Sequence, residues 1–136
     1  MKISEQQMKP VNAVPVPNQC TFRSSVDITQ VRFEWGELAV TLTSGGDRKV
    51  VIAKFDEVVG FRVLEEGDLL EFWPVCSSDN GWLFQVLENG WFDLEAIRSG
   101  FLREKGLGIS EYFIASQNSC ISVLSGGVPS IEFLSI

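Results

Sequence analysis

Hydrophobic and polar residues alternate with a period of two along much of the chain after Ile28. Val31, Phe33 and Trp35 are separated by charged residues, and the alternation resumes after Gly36-Glu37. This period is typical of half-buried strands, and the short breaks between runs are typical of tight turns. The pattern therefore predicts an antiparallel meander over residues 28–53. Further strands are predicted at residues 58–64, 69–75, 82–87, 111–116, 120–124 and 131–134.

The segment from Asp56 to Trp73 admits two interpretations. Apolar residues between Phe55 and Val63 also mark one face of a helix, but the β-branched residues favour a strand over 58–64. Further along, the Asn80-Gly81 pair predicts a hairpin, because both residues tolerate the positive φ that a two-residue turn requires. We expect this hairpin to join strands 69–75 and 82–87.

One helix is predicted after a second turn at Asn89-Gly90. Asp93 is suited to cap its first turn, and apolar residues recur at i, i+3 and i+7 from Leu94 to Phe101. A glycine at position 100 or 106 would end it. These elements predict an α+β fold, with a mostly antiparallel, strongly bent or barrel-like sheet of roughly eight strands and one short helix.

The N-terminal residues differ from the remainder of the chain. Pro10, Pro15 and Pro17 interrupt a polar stretch and remove backbone donors that a sheet would use. We therefore expect residues 1–26 to form a flexible arm and residues 27–136 to form a single globular domain. An edge strand through residues 11–16 is the alternative.

Composition narrows the functional classes. The formal net charge of −7 repels phosphate backbones and anionic lipid heads, which disfavours nucleic acid and membrane surfaces and favours a basic protein partner. No long apolar run and no signal-peptide pattern are present, and the three cysteines are scattered, so a cytoplasmic protein with free thiols is expected. A homodimer is compatible with these properties.

Residue types typical of catalysis are scarce. The chain has no histidine, and adjacent carboxylates such as Glu65-Glu66 are expected on a solvated face of a chain with 18 acidic residues. The spacing of a calcium loop, a zinc site or a phosphate-binding glycine loop is absent from the sequence. We expect neither enzymatic activity, nor a metal site, nor a cofactor.

Acidic residues and tryptophans are interleaved between Asp56 and Glu95. Tryptophan is enriched where binding energy is concentrated, although most tryptophans of a small sheet protein belong to its core. Arg62 is the single cationic residue between Asp56 and Glu95, and we expect it to pair with an acid such as Glu71. The candidate partner-binding residues are Glu65, Glu66, Asp68, Glu71, Trp73, Asp79 and Trp82.

Several motifs resemble those of a known group of proteins. They are Gly60-Phe61-Arg62-Val63-Leu64, Glu66-Gly67-Asp68-Leu69, Phe72-Trp73, Gly81-Trp82, Gly90-Trp91, Glu111-Tyr112-Phe113-Ile114 and Cys120-Ile121-Ser122-Val123-Leu124. In their order, they resemble small bacterial proteins of uncharacterised function, some of which are similar to the immunity proteins of polymorphic toxin systems. The resemblance covers about residues 30–134 and implies an acidic, non-catalytic, cytosolic protein. It implies no particular binding residue.

Two hypotheses follow from the sequence. The first is a non-enzymatic, immunity-like protein that masks a basic partner with an acidic and aromatic face. The second is a protein that binds a small apolar ligand in a pocket of the bent sheet, lined by Phe33, Phe61, Trp82 and Phe84. An enzyme that uses carboxylates remains a third alternative.

Overall fold

The computed structural model describes residues 9–77 and 80–135, and these contain nine strands and one short α-helix. The fold is α+β and mostly antiparallel sheet, as the sequence predicts. The elements are β1 (Asn12–Pro15), β2 (Asp27–Glu34), β3 (Glu37–Ser44), β4 (Lys49–Phe55), β5 (Val58–Glu65), β6 (Leu83–Glu88), α1 (Trp91–Ala96), β7 (Ser110–Ile114), β8 (Ser119–Ser125) and β9 (Ser130–Ser135).

The strands form two separate sheets and do not close into a barrel. One sheet has five strands in the order β1-β6-β7-β8-β5, and the other has four in the order β2-β3-β4-β9. Every pairing within them is antiparallel. Strands β2 and β5 are neighbouring edges of the two sheets, since Phe33 packs against Phe61. One backbone hydrogen bond, from the Val58 N–H to the Gly36 carbonyl at 3.0 Å, joins the start of β5 to the β2–β3 turn.

The first hydrophobic core lies between the two sheets. Alternate residues of β3, Leu38, Val40 and Leu42, point into it from the four-stranded sheet. Ile121 and Val123 of β8 face them from the five-stranded sheet. The period-two pattern of the sequence therefore identifies the buried face of this sandwich correctly.

A second hydrophobic core covers the other face of the five-stranded sheet. Phe84 and Phe113 point into it from β6 and β7, and the segment 66–77 lies across them. The predicted strand at 69–75 is wrong, because this segment is a series of turns that buries Leu69, Phe72 and Cys76. The predicted Asn80-Gly81 hairpin is wrong for the same reason, since residues 66–77 contain no strand that could pair with β6.

The helix is shorter than predicted and presents a different face. It spans Trp91–Ala96, has Gly90 as its N-cap residue and buries Phe92. Leu94 and Ile97 are exposed, so the apolar spacing that predicts the helix does not mark its packed face. No helix within the described residues is long and apolar enough to cross a membrane.

The N-terminal region contains an edge strand where the sequence favours a free arm. Strand β1 pairs with β6, and Val11 and Ala13 are buried in the second core. The prolines are tolerated because β1 lies at a sheet edge, where one side of the backbone needs no partner. Residues 1–8 of the expected arm lie outside the described residues.

The side chain of Gln19 extends this attachment. Its amide nitrogen donates to the carbonyls of Val16 and Leu83, both at 2.8 Å. Its oxygen accepts from the N–H groups of Trp82 and Leu83 at 2.9 and 3.0 Å. One amide side chain thus replaces a backbone peptide group beside the start of β6.

We expect Val11→Ala to lower the free energy of unfolding by about 2 kcal/mol, because it removes buried methyl groups from the second core. The matched variant Val14→Ala changes an exposed residue of β1, three positions further along, and should lie within about 0.5 kcal/mol of the parent. Urea unfolding curves measure both values. Equal curves for the two variants would mean that the segment is an undocked arm.

Candidate functional site

The most exposed large hydrophobic side chain among the described residues is Trp35, at 98%. Glu34 pairs with Glu37 across β2 and β3, which leaves Trp35 and Gly36 as a two-residue turn. Their φ angles are 53° and 76°. Positive φ at both positions is the requirement of a type I′ hairpin, for which Asn-Gly is the preferred pair. A tryptophan here is unfavourable for the backbone and buries almost nothing within the chain.

Carboxylates surround this tryptophan. We define the acidic hairpin end as Trp35 together with Glu34, Glu37, Asp56 and Glu57, all of them exposed. The pairing of Leu38 with Phe55 brings Glu37 beside Asp56, and the hydrogen bond between Gly36 and Val58 brings the β4–β5 turn against the hairpin.

The cations near the acidic hairpin end are already paired. Arg32 contacts Glu34 at 2.9 Å, and Lys54 contacts Glu132 at 2.8 Å. The hydrogen bond to Glu132 is the main reason that the pKa of Lys54 is raised. Among the described residues, Glu37, Asp56 and Glu57 have no ion pair. Their negative charge is therefore available to an external cation.

Apolar side chains line the open side of the sandwich next to this end. Phe33 of β2 and Phe61 of β5 pack with ring centroids 5.4 Å apart, and Phe33 is still 51% exposed. Val31 and Val63 lie two residues further along the same faces, and both are exposed. We call these four residues the edge strip. It is an apolar surface between two edge strands.

A second group of acids lies at the far end of β5. Glu65 ends β5, Glu66 and Asp68 lie in the tight turn that follows, and all three are exposed, so the structure brings these predicted residues together. Trp73 is half-buried beside them and donates from Nε1 to the Glu66 carbonyl at 2.9 Å. We call this group the acidic turn. Strand β5, from Val58 to Glu65 and about 23 Å long, separates it from the acidic hairpin end.

The remaining predicted partner-binding residues are not part of the acidic turn. Trp82 is a core residue, 4% exposed, and donates from Nε1 to the Cys20 carbonyl at 2.5 Å, so it does not belong to an exposed partner-binding surface. Glu71 is half-buried, and its carbonyl accepts from the Val11 N–H. Asp79 lies outside the described residues.

The aromatic residues predicted to line an apolar pocket are not brought together. Phe33 and Phe61 belong to the edge strip, Trp82 lies in the first core, and Phe84 is fully buried in the second. Trp82 precedes β6, and the alternation within β6 places Leu83 in the first core and Phe84 in the second.

A groove of about 1220 Å³ is present instead at the end of the sandwich that carries the acidic turn. It runs between residues 15–26 on one side and residues 73–77 and 80–82 on the other. Cys20, Trp73 and Trp82 are among its lining residues, together with Glu66. Its walls are partly polar, so it differs from the closed apolar pocket expected from the sequence.

A buried carboxylate lies at the start of α1. Glu111 of β7 is 2% exposed and accepts from the N–H groups of Trp91 and Phe92 at 2.9 and 2.7 Å. Burial raises its pKa, while these two donors oppose the shift. Gly90 is required here, since a Cβ would come within 2.8 Å of the carboxylate. Both oxygens are engaged, so Glu111 holds the helix against the sheet.

Arg62 stacks on the ring of Trp91 and does not form an ion pair with Glu71. Its guanidinium lies 5.4 Å from the centroid of the Trp91 ring, and its Nε donates to Ser122 at 3.4 Å. The expected contact with Glu71 is not among the ion pairs of residues 9–77 and 80–135. Desolvation lowers the pKa of Arg62, and the field of Glu111 partly offsets this effect.

The three cysteines are free thiols in two different environments. Cys76 and Cys120 are buried free thiols of the second core, and Cys20 is a half-buried free thiol in the groove. Desolvation raises the pKa of Cys76 to about 12. Within the described part of the chain, no three His, Cys, Asp or Glu residues are grouped so as to hold a metal ion.

Sequence reasoning missed Trp35 because the alternation of Val31, Phe33 and Trp35 suggests a third inward-facing residue. The useful signal is the glycine that follows it. Only two residues separate Glu34 from Glu37, so a two-residue turn with Gly36 in its second position forces Trp35 out of the strand.

Comparisons with protein-family models, with curated proteins and with solved structures gave no match to this chain. The functional inference therefore rests on the geometry of the edge strip, the two acidic regions and the groove.

In the folded protein we expect a thiol-reactive maleimide at pH 8 to modify Cys20 only, because Cys76 and Cys120 are buried and their pKa values are raised. Intact mass should show one adduct in buffer and three in denaturant. The Cys20→Ser variant should show none when folded. Labelling of Cys76 or Cys120 under native conditions would mean that the second core opens readily.

Proposed function

We propose that this chain binds a basic protein partner without catalysing a reaction, as an immunity-like protein would. The observation that carries this proposal is Trp35, an almost fully exposed tryptophan in a strained turn among carboxylates. Strain that persists without an intramolecular benefit is typical of functional positions. Tryptophan is also the residue type most enriched among the anchors of protein interfaces.

The surroundings of Trp35 support the same proposal. Protein interfaces commonly have an apolar centre and a polar rim. Here the edge strip supplies an apolar surface, with the acidic hairpin end at one side and the acidic turn at the other. The predicted residues Glu65, Glu66 and Asp68 therefore belong to the rim of a larger surface, and Trp35 replaces Trp82 as its principal anchor.

Charge explains the preference for a basic partner. The whole chain carries a formal net charge of −7, and the two acidic regions concentrate that charge along one side of the sandwich. Complementary charges increase the rate of encounter between two proteins, whereas a buried aromatic anchor mainly slows dissociation. The two kinds of residue should therefore have separable kinetic effects.

A second candidate function is the binding of a small molecule in the groove. Its volume, about 1220 Å³, is large enough for a metabolite-sized ligand. The groove is lined by both aromatic and polar groups, so an amphipathic molecule fits it better than a purely apolar one. A ligand carried through purification and detected by native mass spectrometry, together with slower labelling of Cys20, would favour this function.

We expect Trp35→Asn to weaken binding of a basic partner by about 2 kcal/mol or more, because it removes the anchor. The same change should leave the free energy of unfolding unchanged or raise it, since asparagine tolerates the left-handed conformation and the tryptophan packs against little. Parallel pull-downs from native lysate and urea unfolding measure the two effects.

Leu102→Asn is the matched control, because it also replaces an exposed large apolar residue but lies in a loop remote from the hairpin in sequence. It should retain the partner. Full retention of every captured basic protein by Trp35→Asn would contradict the proposal.

We expect the double variant Glu37→Lys with Asp56→Lys to slow association and flatten its salt dependence, because it reverses charge at the acidic hairpin end. The pair Glu88→Lys with Glu104→Lys changes net charge equally at other exposed positions. Surface plasmon resonance at several ionic strengths compares the two. Identical association rates would mean that net charge alone, and not this region, attracts the partner.

A further inference from the structure

The outer edge of β2 is open along the edge strip. In the described residues, β2 pairs with β3 on one side only, and its residues from Thr29 to Glu34 are all exposed. Its register irregularity lies at the other end, between Ile28 and Gln30. Residues 30–34 contain no proline and no bulge, which are devices that commonly protect an edge strand from further pairing.

The register shows which backbone groups are free. Glu34 and Glu37 flank the two-residue turn and form a hydrogen-bonded pair. Hydrogen-bonded and non-hydrogen-bonded pairs alternate along an antiparallel ladder. The pairs Phe33–Leu38 and Val31–Val40 are therefore not hydrogen-bonded. The N–H and C=O groups of Val31 and Phe33 therefore point away from β3, toward the open edge.

We propose that this edge accepts an extended segment of the basic partner as an added antiparallel strand, a binding mode that rests on the proposed function and specifies it. Antiparallel addition continues the pairing found throughout both sheets. The added segment hydrogen-bonds to Val31 and Phe33. Its apolar side chains on the inner face contact Phe61 and Val63 of the edge strip.

Charge complementarity assigns the occupant. The added strand ends near the acidic hairpin end on one side and near the acidic turn on the other, with about 23 Å between them. A segment with lysine or arginine at both ends places one cation beside each acidic region, and apolar residues at its alternate central positions contact the edge strip. A second copy of this chain does not, because each copy carries the same excess of negative charge.

The probe is a synthetic peptide with two lysines at each end and a central alternation of threonine and valine. Titration into the ¹⁵N-labelled protein should shift the amide resonances of Val31 and Phe33. In a directly opposed, hydrogen-bonded antiparallel pair, the two side chains share one face, so valines that face the edge strip also direct their N–H groups at β2.

This geometry provides a matched pair of controls. N-methylation of the valines removes the donors that face β2 and should weaken binding at least about tenfold, whereas N-methylation of the threonines should change it by less than about twofold. All three peptides have the same charge. Equal affinities, or shifts that leave Val31 and Phe33 unaffected, would overturn strand addition.

Variants of the protein provide an independent readout. Val31→Pro removes one outward N–H while leaving the β3 ladder intact, and proline is tolerated at such edge positions. Val31→Ala removes the side chain but keeps the N–H. We expect the proline variant to bind the peptide at least about fivefold more weakly than the alanine variant.

The outcomes separate the two proposals. If both Val31 variants bind the peptide equally while Trp35→Asn still loses a captured basic protein, strand addition is wrong and the proposed function stands. If the peptide discriminates as expected but Trp35→Asn retains every partner, the edge pairs with extended chains and the anchor role of Trp35 is wrong.

Discussion

The five-stranded sheet has to be covered on both faces, and much of the remaining structure follows from this constraint. Strands β7 and β8 carry buried residues at nearly every position, so neither face can remain in water. The four-stranded sheet covers one face. The turns of residues 66–77 and the short helix α1 lie over the other, where Glu111 and Arg62 satisfy polar groups that this packing buries.

The same constraint accounts for the open side of the molecule. The elements that cover the five-stranded sheet lie on its two faces. Strands β2 and β5 remain as adjacent edges, and none of the strands in residues 9–77 and 80–135 lies between them. Their inward-facing side chains are apolar because they continue the pattern of the first core, yet Phe33 and Val63 reach beyond it into solvent. An apolar edge between two acidic regions is consequently a product of the architecture, and the functional proposals concern what occupies it.

Local patterns predicted what depends on local physics. Period-two alternation identified the β3 face of Leu38, Val40 and Leu42, and the antiparallel class followed from the short turns. The segment that carries Leu69, Phe72 and Cys76 is wrongly predicted as a strand, because a turn-rich covering segment and a short buried strand have similar apolar content. The exposure of Trp35 and the capping role of Glu111 depend on register and on contacts distant in sequence, which propensity alone does not encode.

The contrast between Trp35 and Trp82 gives the protein two different fluorophores. The indole of Trp35 is surrounded by solvent, while that of Trp82 is enclosed in the first core with its N–H bound to a carbonyl. Emission from a hydrated indole lies at longer wavelength than emission from a buried one. Trp73 and Trp91 are half-buried and emit between these two extremes. Occupation of the hairpin would thus alter the red side of the emission band, whereas unfolding would move the emission of the three more buried tryptophans to longer wavelength.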